Sequence, residues 1–149
     1  MGSSYFSAMN GSVTSSEAMN NPYNSLITLG HNNFINNPYL QNTITDQHYS
    51  QRGREGRLVT FMARMFVDLD TNPKAIAVDE ETAVCIDENG IVTTLGVNNA
   101  FFLRCNSLPE NCTTGTKLTW YNNKQAVRVF SLSGTQTNNT FDLTNFNSG

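Results

Sequence analysis

Hydrophobic and polar positions change their spacing along the chain, and the spacing predicts one helix followed by a series of strands. In RLVTFMARMFVD the apolar residues recur at intervals of three and four. This spacing predicts a helix with one apolar face, formed by Leu58, Phe61, Met62, Met65 and Phe66. DTNPKA ends this helix, because proline cannot continue it. Ahead of the helix, NTIT predicts a short strand that runs into Asp46, whereas residues 26–41 are typical of loop.

From Lys74 onward, short runs of β-branched and aromatic residues alternate with turn sequences such as DENG. We predict strands at AIAVD, TAVCID, GIVTTLG, NAFFLR, KLTWY and AVRVFSLSG, with FDLTNF as a last short one. The first half shows a single strand–loop–helix–strand unit, so the expected fold class is α/β with a β-rich C-terminal segment. A self-standing α/β domain needs more such units. We therefore expect residues 1–149 to form a single, incomplete domain, the C-terminal half of a larger fold.

Composition narrows the class of protein. With 149 residues, of which 38% are hydrophobic, the chain can bury a core and is expected to be globular. Charged residues make up 14%, and Asn, Thr and Ser supply most of the polarity, which leans slightly towards secretion and leaves localisation open. A formal net charge of −3 argues against nucleic-acid binding. No apolar run approaches the ~20 residues of a membrane span, so a membrane is not an expected partner.

The three cysteines leave two interpretations open. Cys105 and Cys112 flank the loop-like NSLPEN and would either close a small disulfide ring or remain as two free thiols. Cys85, in TAVCI, is expected to be a buried strand thiol. Because no CxxC pair or His-x-x-x-His accompanies them, the sequence predicts no metal site.

The stretch DQHYSQRGREGRL carries the candidate chemistry. It places His48 directly after the NTIT strand, on a loop that leads into the helix, where the carboxyl ends of strands in α/β sheets gather catalytic groups. The pair Asp79-Glu80 follows the next strand and is expected at the same sheet edge. A carboxylate there would orient one imidazole nitrogen and leave the other as a general base. The nucleophile would be a serine or cysteine on a tight turn with small neighbours, and the candidates are GSS at Ser4 and, as the alternative, SAM at Ser7.

These features also have plainer interpretations. A histidine after a strand is commonly solvated or structural, and an arginine triplet beside glycines commonly forms a solvated face or an anion site. Spacing alone leaves these interpretations open beside the catalytic one.

The same stretch resembles the segment that carries the catalytic histidine in cyanophycinases, which belong with the dipeptidase E-like serine peptidases. AIAVDEETAVCI is similar to another segment of that family, and GIVTTLG and KLTW…QAVRVFSLSGT extend the resemblance more diffusely over residues 40–135. The resemblance implies the C-terminal portion of a class I glutamine amidotransferase-like fold, a parallel sheet with helices on both faces.

The resemblance also implies roles for particular residues. The catalytic triad would be Ser4, with Ser7 as the alternative, His48 as general base and Glu80 as the carboxylate that orients it. The family's nucleophile elbow, GTSAG, is matched in part by GSSYF and in part by FSAMN. Motif residues expected to shape the substrate pocket are Asp46, Gln47, Arg52, Arg54 and Arg57. The substrate class would be a peptide or isopeptide with Asp and Arg groups, cleaved at β-aspartyl-arginine bonds without a cofactor.

Three functions therefore compete. The first is a serine peptidase of the cyanophycinase type, as a homodimer or paired with an N-terminal half that this chain lacks. The second is a non-catalytic binding or structural relative that has lost its nucleophile elbow. The third is a β-rich surface or adhesion domain, suggested by the Asn- and Thr-rich C-terminal half.

Overall fold

The computed structural model of this protein describes residues 2–31 and 35–148, and an α/β fold with a mixed sheet is confirmed there. In chain order the helices and strands are β1 (Ser4–Ser7), α1 (Ser15–Asn20), β2 (Thr28–His31), β3 (Thr43–Gln47), α2 (Glu55–Leu69), β4 (Lys74–Val78), β5 (Thr82–Ile86), β6 (Ile91–Gly96), β7 (Asn99–Cys105), β8 (Val127–Ser133), β9 (Thr140–Asp142) and β10 (Asn147–Ser148).

The strands form two sheets. The first has six strands in the order β2-β1-β3-β4-β7-β8, and the second has four in the order β10-β9-β6-β5. In the first sheet, β3 pairs in parallel with β1 and with β4, and the remaining pairs are antiparallel. The two helices contribute apolar residues to one core, and the second sheet contributes apolar residues to another. The resemblance implied helices on both faces of the first sheet, whereas within the described residues the second sheet covers one of them.

The predicted amphipathic helix is confirmed as α2. Its apolar face is fully buried at Leu58, Phe61, Met62 and Met65. The N-cap residue of α2, Arg54, makes no capping hydrogen bond with its side chain. Instead, the hydroxyl of Ser15 accepts a 3.1 Å hydrogen bond from the backbone N–H of Arg57 in the first turn. The two helices are thus joined where α2 begins. In the described residues, neither helix combines the length and apolarity that a membrane-spanning helix requires.

Two hydrophobic cores lie on opposite faces of the first sheet, as the alternation of side chains along a strand requires. Ala75, Ala77 and Leu103 pack with the helices, whereas Ile76 and Phe102 point to the second sheet. In that second core Phe102 stacks on Phe141 of β9, with ring centroids 4.2 Å apart. One buried strand layer therefore stabilises both outer layers.

Several sequence predictions were wrong in detail. KLTWY is not a strand, because Thr119 makes one isolated bridge to Asn111 and Trp120 packs edge-on against Phe66 of α2. The segment expected to be loop, 26–41, contains β2, which pairs with β1 along four residues. Both strands lacked the longer apolar alternation that would have marked them.

The suggested Cys105–Cys112 disulfide is not formed, and all three thiols are free. Cys105 belongs to the helix-side core, while Cys112 packs with Ala63 and Leu118 in a separate small cluster. Cys85 was expected to be buried, but it is exposed.

We predict that iodoacetamide modifies Cys85 well before the other two cysteines in the native protein. The thiolate is the reactive form, and burial raises the pKa of Cys112 to about 11 and raises the pKa of Cys105 as well. Mass spectrometry of the digested protein measures the order of labelling. A Cys105–Cys112 cross-linked peptide in an unreduced digest would contradict the structure.

We predict that Phe141→Ala lowers the free energy of unfolding by about 3–5 kcal/mol, since its fully buried ring anchors the second sheet. Urea denaturation measures the change. Tyr121→Ala is the control: Tyr121 is 53% exposed, and its loss should change stability by no more than about 0.5 kcal/mol. Equal losses in the two variants would show that the second core contributes little.

Candidate active site

The parallel pairing of β3 with β4 sets the position of the site. Gln47, the last residue of β3, lies beside Val78, the last residue of β4. The next residues, His48 and Asp79, therefore leave the sheet side by side at its carboxyl edge. This is the juxtaposition that the sequence predicted for the histidine and the acidic pair.

His48 adopts a left-handed backbone conformation, with φ of 50°. The chain returns to the sheet directly after it, because the N–H of Tyr49 donates a 3.1 Å hydrogen bond to the carbonyl of Val78. Tyr49 is then buried, with its ring 5.0 Å from that of Phe101. This local turn leaves the imidazole of His48 partly exposed at the sheet edge.

The imidazole and the carboxylate of Glu80 meet: His48 Nδ1 lies 2.9 Å from Glu80 Oε1. Glu80 is itself held, because its backbone N–H donates to Gln51 Oε1 at 3.1 Å and its carbonyl accepts from the amide of Asn98 at 2.9 Å. With Nδ1 donating to the carboxylate, Nε2 of His48 is the nitrogen that is free to accept a proton. This is the arrangement of the orienting acid and the base in a catalytic triad.

Asp79 fixes the loop that follows His48. Its buried carboxylate accepts hydrogen bonds from the N–H and the hydroxyl of Ser50, at 2.9 and 2.7 Å. On the other side of this turn, Gly96 approaches the backbone of Glu81 so closely that a Cβ would clash with the carbonyl oxygen. Of the two acidic residues, Asp79 therefore fixes the backbone of the loop at Ser50, and Glu80 orients the imidazole of His48.

Ser4 does not face His48. It is buried in β1, and its hydroxyl lies 2.8 Å from Nδ1 of His31 on the neighbouring strand. Its parallel partner in β3 is Ile44, three residues before the end of that strand, which is ~10 Å short of the carboxyl edge. Desolvation lowers the pKa of His31, which favours its neutral form. The hydroxyl of Ser4 is therefore directed to His31 and not to His48.

Ser7 lies at the end of the sheet where His48 is found. It is the last residue of β1, which runs parallel to β3, so it leaves the sheet at the same edge as His48. Its hydroxyl accepts a long hydrogen bond, 3.4 Å, from the N–H of Met9. The alternative assignment made from the sequence is thus the one that the topology favours.

Asp46 and Arg57 form a buried ion pair. Nε and Nη2 of Arg57 donate to the two carboxylate oxygens of Asp46 at 2.9 and 2.6 Å, and both side chains are more than 90% buried. Arg54 adds a contact of 3.1 Å to the same carboxylate, and the Arg57 guanidinium lies 5.5 Å from the ring of Phe6. Asp46 and Arg57 therefore bind each other, and neither is free to clamp a substrate as the sequence suggested.

A cavity of about 690 Å³ opens beside this ion pair. Ala8, which follows Ser7, and Gln47, which precedes His48, both line it. Arg54 contributes to its wall, whereas Arg52 lies exposed on the loop outside it. Of the predicted pocket residues, Asp46, Gln47, Arg54 and Arg57 thus line this cavity, and Arg52 does not.

The sequence did not single out His31, Ser50, Gln51 or Asn98. Ser50 and Gln51 lie within the quoted motif, and their polarity was the available signal. His31 and Asn98 follow no recognisable pattern, because their roles depend on strands distant in sequence. Among the described residues, no group of three His, Cys, Asp or Glu side chains comes together in the manner of a metal site.

We predict that Asp46→Asn destabilises the fold by about 3–5 kcal/mol, because it leaves the buried Arg57 guanidinium without its counter-charge. Thermal and urea unfolding measure the loss. The double variant Asp46→Leu/Arg57→Met should recover part of it, since the more deeply buried guanidinium is removed while Arg54 still loses its carboxylate partner. If the double variant is as unstable as the sum of the single ones, the pair is not coupled.

The chain matches no family model and no curated protein.

Proposed function

We propose that this chain is a serine-type hydrolase of the cyanophycinase kind, with Ser7 as nucleophile, His48 as general base and Glu80 as the orienting carboxylate. The fold would then be the C-terminal portion of a class I glutamine amidotransferase-like sandwich. The observation that carries the proposal is the 2.9 Å contact between His48 and Glu80 at the sheet edge where β1 also ends. The resemblance of DQHYSQRGREGRL to the catalytic histidine segment of that family supports it.

In this mechanism the Oγ of Ser7 attacks the carbonyl carbon of the scissile amide while its proton passes to Nε2 of His48. The tetrahedral intermediate collapses, and the leaving amine takes that proton from the imidazolium. Water, activated by the same nitrogen, then hydrolyses the acyl-serine. Glu80 accepts the hydrogen bond from Nδ1 throughout and stabilises the positive charge that forms on the ring.

The proposed substrate is a β-aspartyl-arginine isopeptide. Carboxylates are recognised by guanidinium groups, and the proposed contacts are Arg54 in the cavity wall and the exposed Arg52 on the loop outside it. Gln47 supplies an amide that can either donate or accept. Asp46 contributes indirectly, by holding Arg54 and Arg57 in place.

A non-catalytic relative is the second candidate, and one observation favours it. Ser7 lies at the end of a regular strand, and its φ is not positive. A nucleophile elbow is instead a strained strand-to-helix turn that raises the serine above the sheet. In this case the His48–Glu80 pair would serve binding rather than proton transfer.

We predict that Ser7→Ala abolishes release of β-aspartyl-arginine dipeptide from a β-aspartyl-arginine polymer, as measured by mass spectrometry. Ser4→Ala is the matched control and should retain activity, because Ser4 contacts His31 rather than His48. A fluorophosphonate probe should likewise label Ser7 in the wild type. Absence of both turnover and labelling would favour the non-catalytic candidate, and labelling at Ser4 would reverse the assignment of the nucleophile.

Glu80→Gln should lower kcat by about 10²–10⁴-fold with a much smaller change in KM, because the imidazole loses its orienting charge rather than a substrate contact. Steady-state kinetics on the same polymer separate the two parameters. A change confined to KM would place Glu80 in substrate binding instead.

A further inference from the structure

Three basic residues stand in one row across the first sheet, at the end opposite His48. Lys74 of β4 is the direct partner of Arg104 on β7, and Arg104 is the direct partner of Arg128 on β8. Directly paired residues project to the same face, which here is the face that carries Ile76 and Phe102 towards the second sheet. Three cationic side chains are therefore neighbours at the margin of the second core.

No carboxylate side chain of the described residues neutralises this row. The ion pairs found in that part of the chain join His48 to Glu80, Arg54 and Arg57 to Asp46, and Arg64 to Asp68. Like charges directly opposite one another in a sheet are destabilising. Burial also lowers the pKa of Lys74, because desolvation disfavours its charged ammonium form. The arrangement costs stability unless an anion joins it.

A concavity of about 560 Å³ lies over Lys74 and Arg104. Arg104, which lines the concavity, also has a buried Nε without a hydrogen-bond acceptor in the described residues. Amide side chains of Asn42 and Asn72 also line the concavity. A guanidinium with an unsatisfied nitrogen is costly to bury, and oxyanions are the ligands that guanidinium groups bind through charge-assisted hydrogen bonds.

Aromatic rings hold the cations in place. The Arg104 and Arg128 guanidiniums lie 5.9 and 5.1 Å from the centroid of Phe130, and the Lys74 ammonium lies 5.3 Å from that of Phe146. Such contacts orient a cationic group while leaving its hydrogen-bond donors unused. The row is therefore preorganised before any ligand arrives.

We propose that Lys74 and Arg104, flanked by Arg128, form a second binding site that takes a phosphate-type oxyanion. A dianion matches the two cations in the concavity better than a single carboxylate does, and its tetrahedral oxygens can meet donors from several directions. The site is separate from the proposed active site, because Lys74 begins β4 and Glu80 follows its end, ~20 Å away along the strand.

Isothermal titration calorimetry with inorganic phosphate, at constant ionic strength maintained with chloride, tests this site. The wild type should bind in the millimolar range or more tightly, and Lys74→Gln and Arg104→Gln should each weaken binding at least about tenfold. Lys117→Gln removes an exposed lysine remote from the row and should bind as the wild type does. Lack of phosphate binding by the wild type, or equal binding by all variants, would overturn the proposal.

Thermal unfolding gives an independent readout in case Arg104→Gln fails to fold. In phosphate-free buffer Lys74→Gln should melt at a higher temperature than the wild type, because it removes like-charge repulsion. Phosphate should then raise the melting temperature of the wild type but not that of the variant. A lower melting temperature for Lys74→Gln without phosphate, together with an unchanged response to phosphate, would assign the row a structural role.

Two further titrations identify the source of the anion. Tighter binding of phenyl phosphate than of inorganic phosphate would support a site for a phosphate group on a larger molecule, and the reverse order would support a site for the free ion. Succinate is the carboxylate comparison, and tighter binding of succinate than of either phosphate would refute the proposed ligand class.

Discussion

The parallel pairing of β3 with β4 is the constraint on which the candidate active site depends. Five residue pairs in register, from Thr43–Lys74 to Gln47–Val78, bring the carboxyl ends of the two strands level. His48 lies one residue beyond the end of β3, and Glu80 lies two residues beyond the end of β4, so their side chains can meet. A slip of two residues would displace one strand end from the other by ~7 Å and separate imidazole from carboxylate. Burial on both faces of these central strands opposes such a slip.

The ion pair between Asp46 and Arg57 provides a second fixed point. It joins β3 to α2 on either side of the loop that carries His48, and Asp79 holds the middle of that loop through Ser50. Most of the charge in DQHYSQRGREGRL is therefore used within the protein. What remains partly exposed is His48, Glu80 and the tip of the loop, which is where chemistry or binding would take place.

The two ends of β4 carry opposite chemistry. Its first residue, Lys74, belongs to an unneutralised row of cations, and the residues after its last carry the carboxylates of Asp79 and Glu80. Both ends gain their positions from the same buried strand, whose Ala75 and Ala77 face the helices while Ile76 faces the second sheet. The same buried strand thus carries the proposed proton-transfer pair after its last residue and the proposed anion site at its first.

Much of this architecture could be read from local patterns. The helix α2 follows from its 3.6-residue apolar period, and the later strands follow from their β-branched runs. KLTWY failed because strand-like composition cannot supply a pairing partner, and β1 and β2 were missed because short polar strands show no clear alternation. The His48–Glu80 pair was expected because both residues follow consecutive strands.

The sequence by itself determined which residue types were present for the chemistry: a histidine after a strand, an acidic pair after the next one, and arginines between them. The tertiary structure decided which of them meet. It places the Ser4 hydroxyl against His31 and Ser7 at the strand end near His48. It also pairs Arg57 with Asp46 and aligns cations about thirty residues apart in the chain. The reason is that strand register and ion pairing act between segments distant in sequence, whereas periodicity reports only on neighbours along the chain.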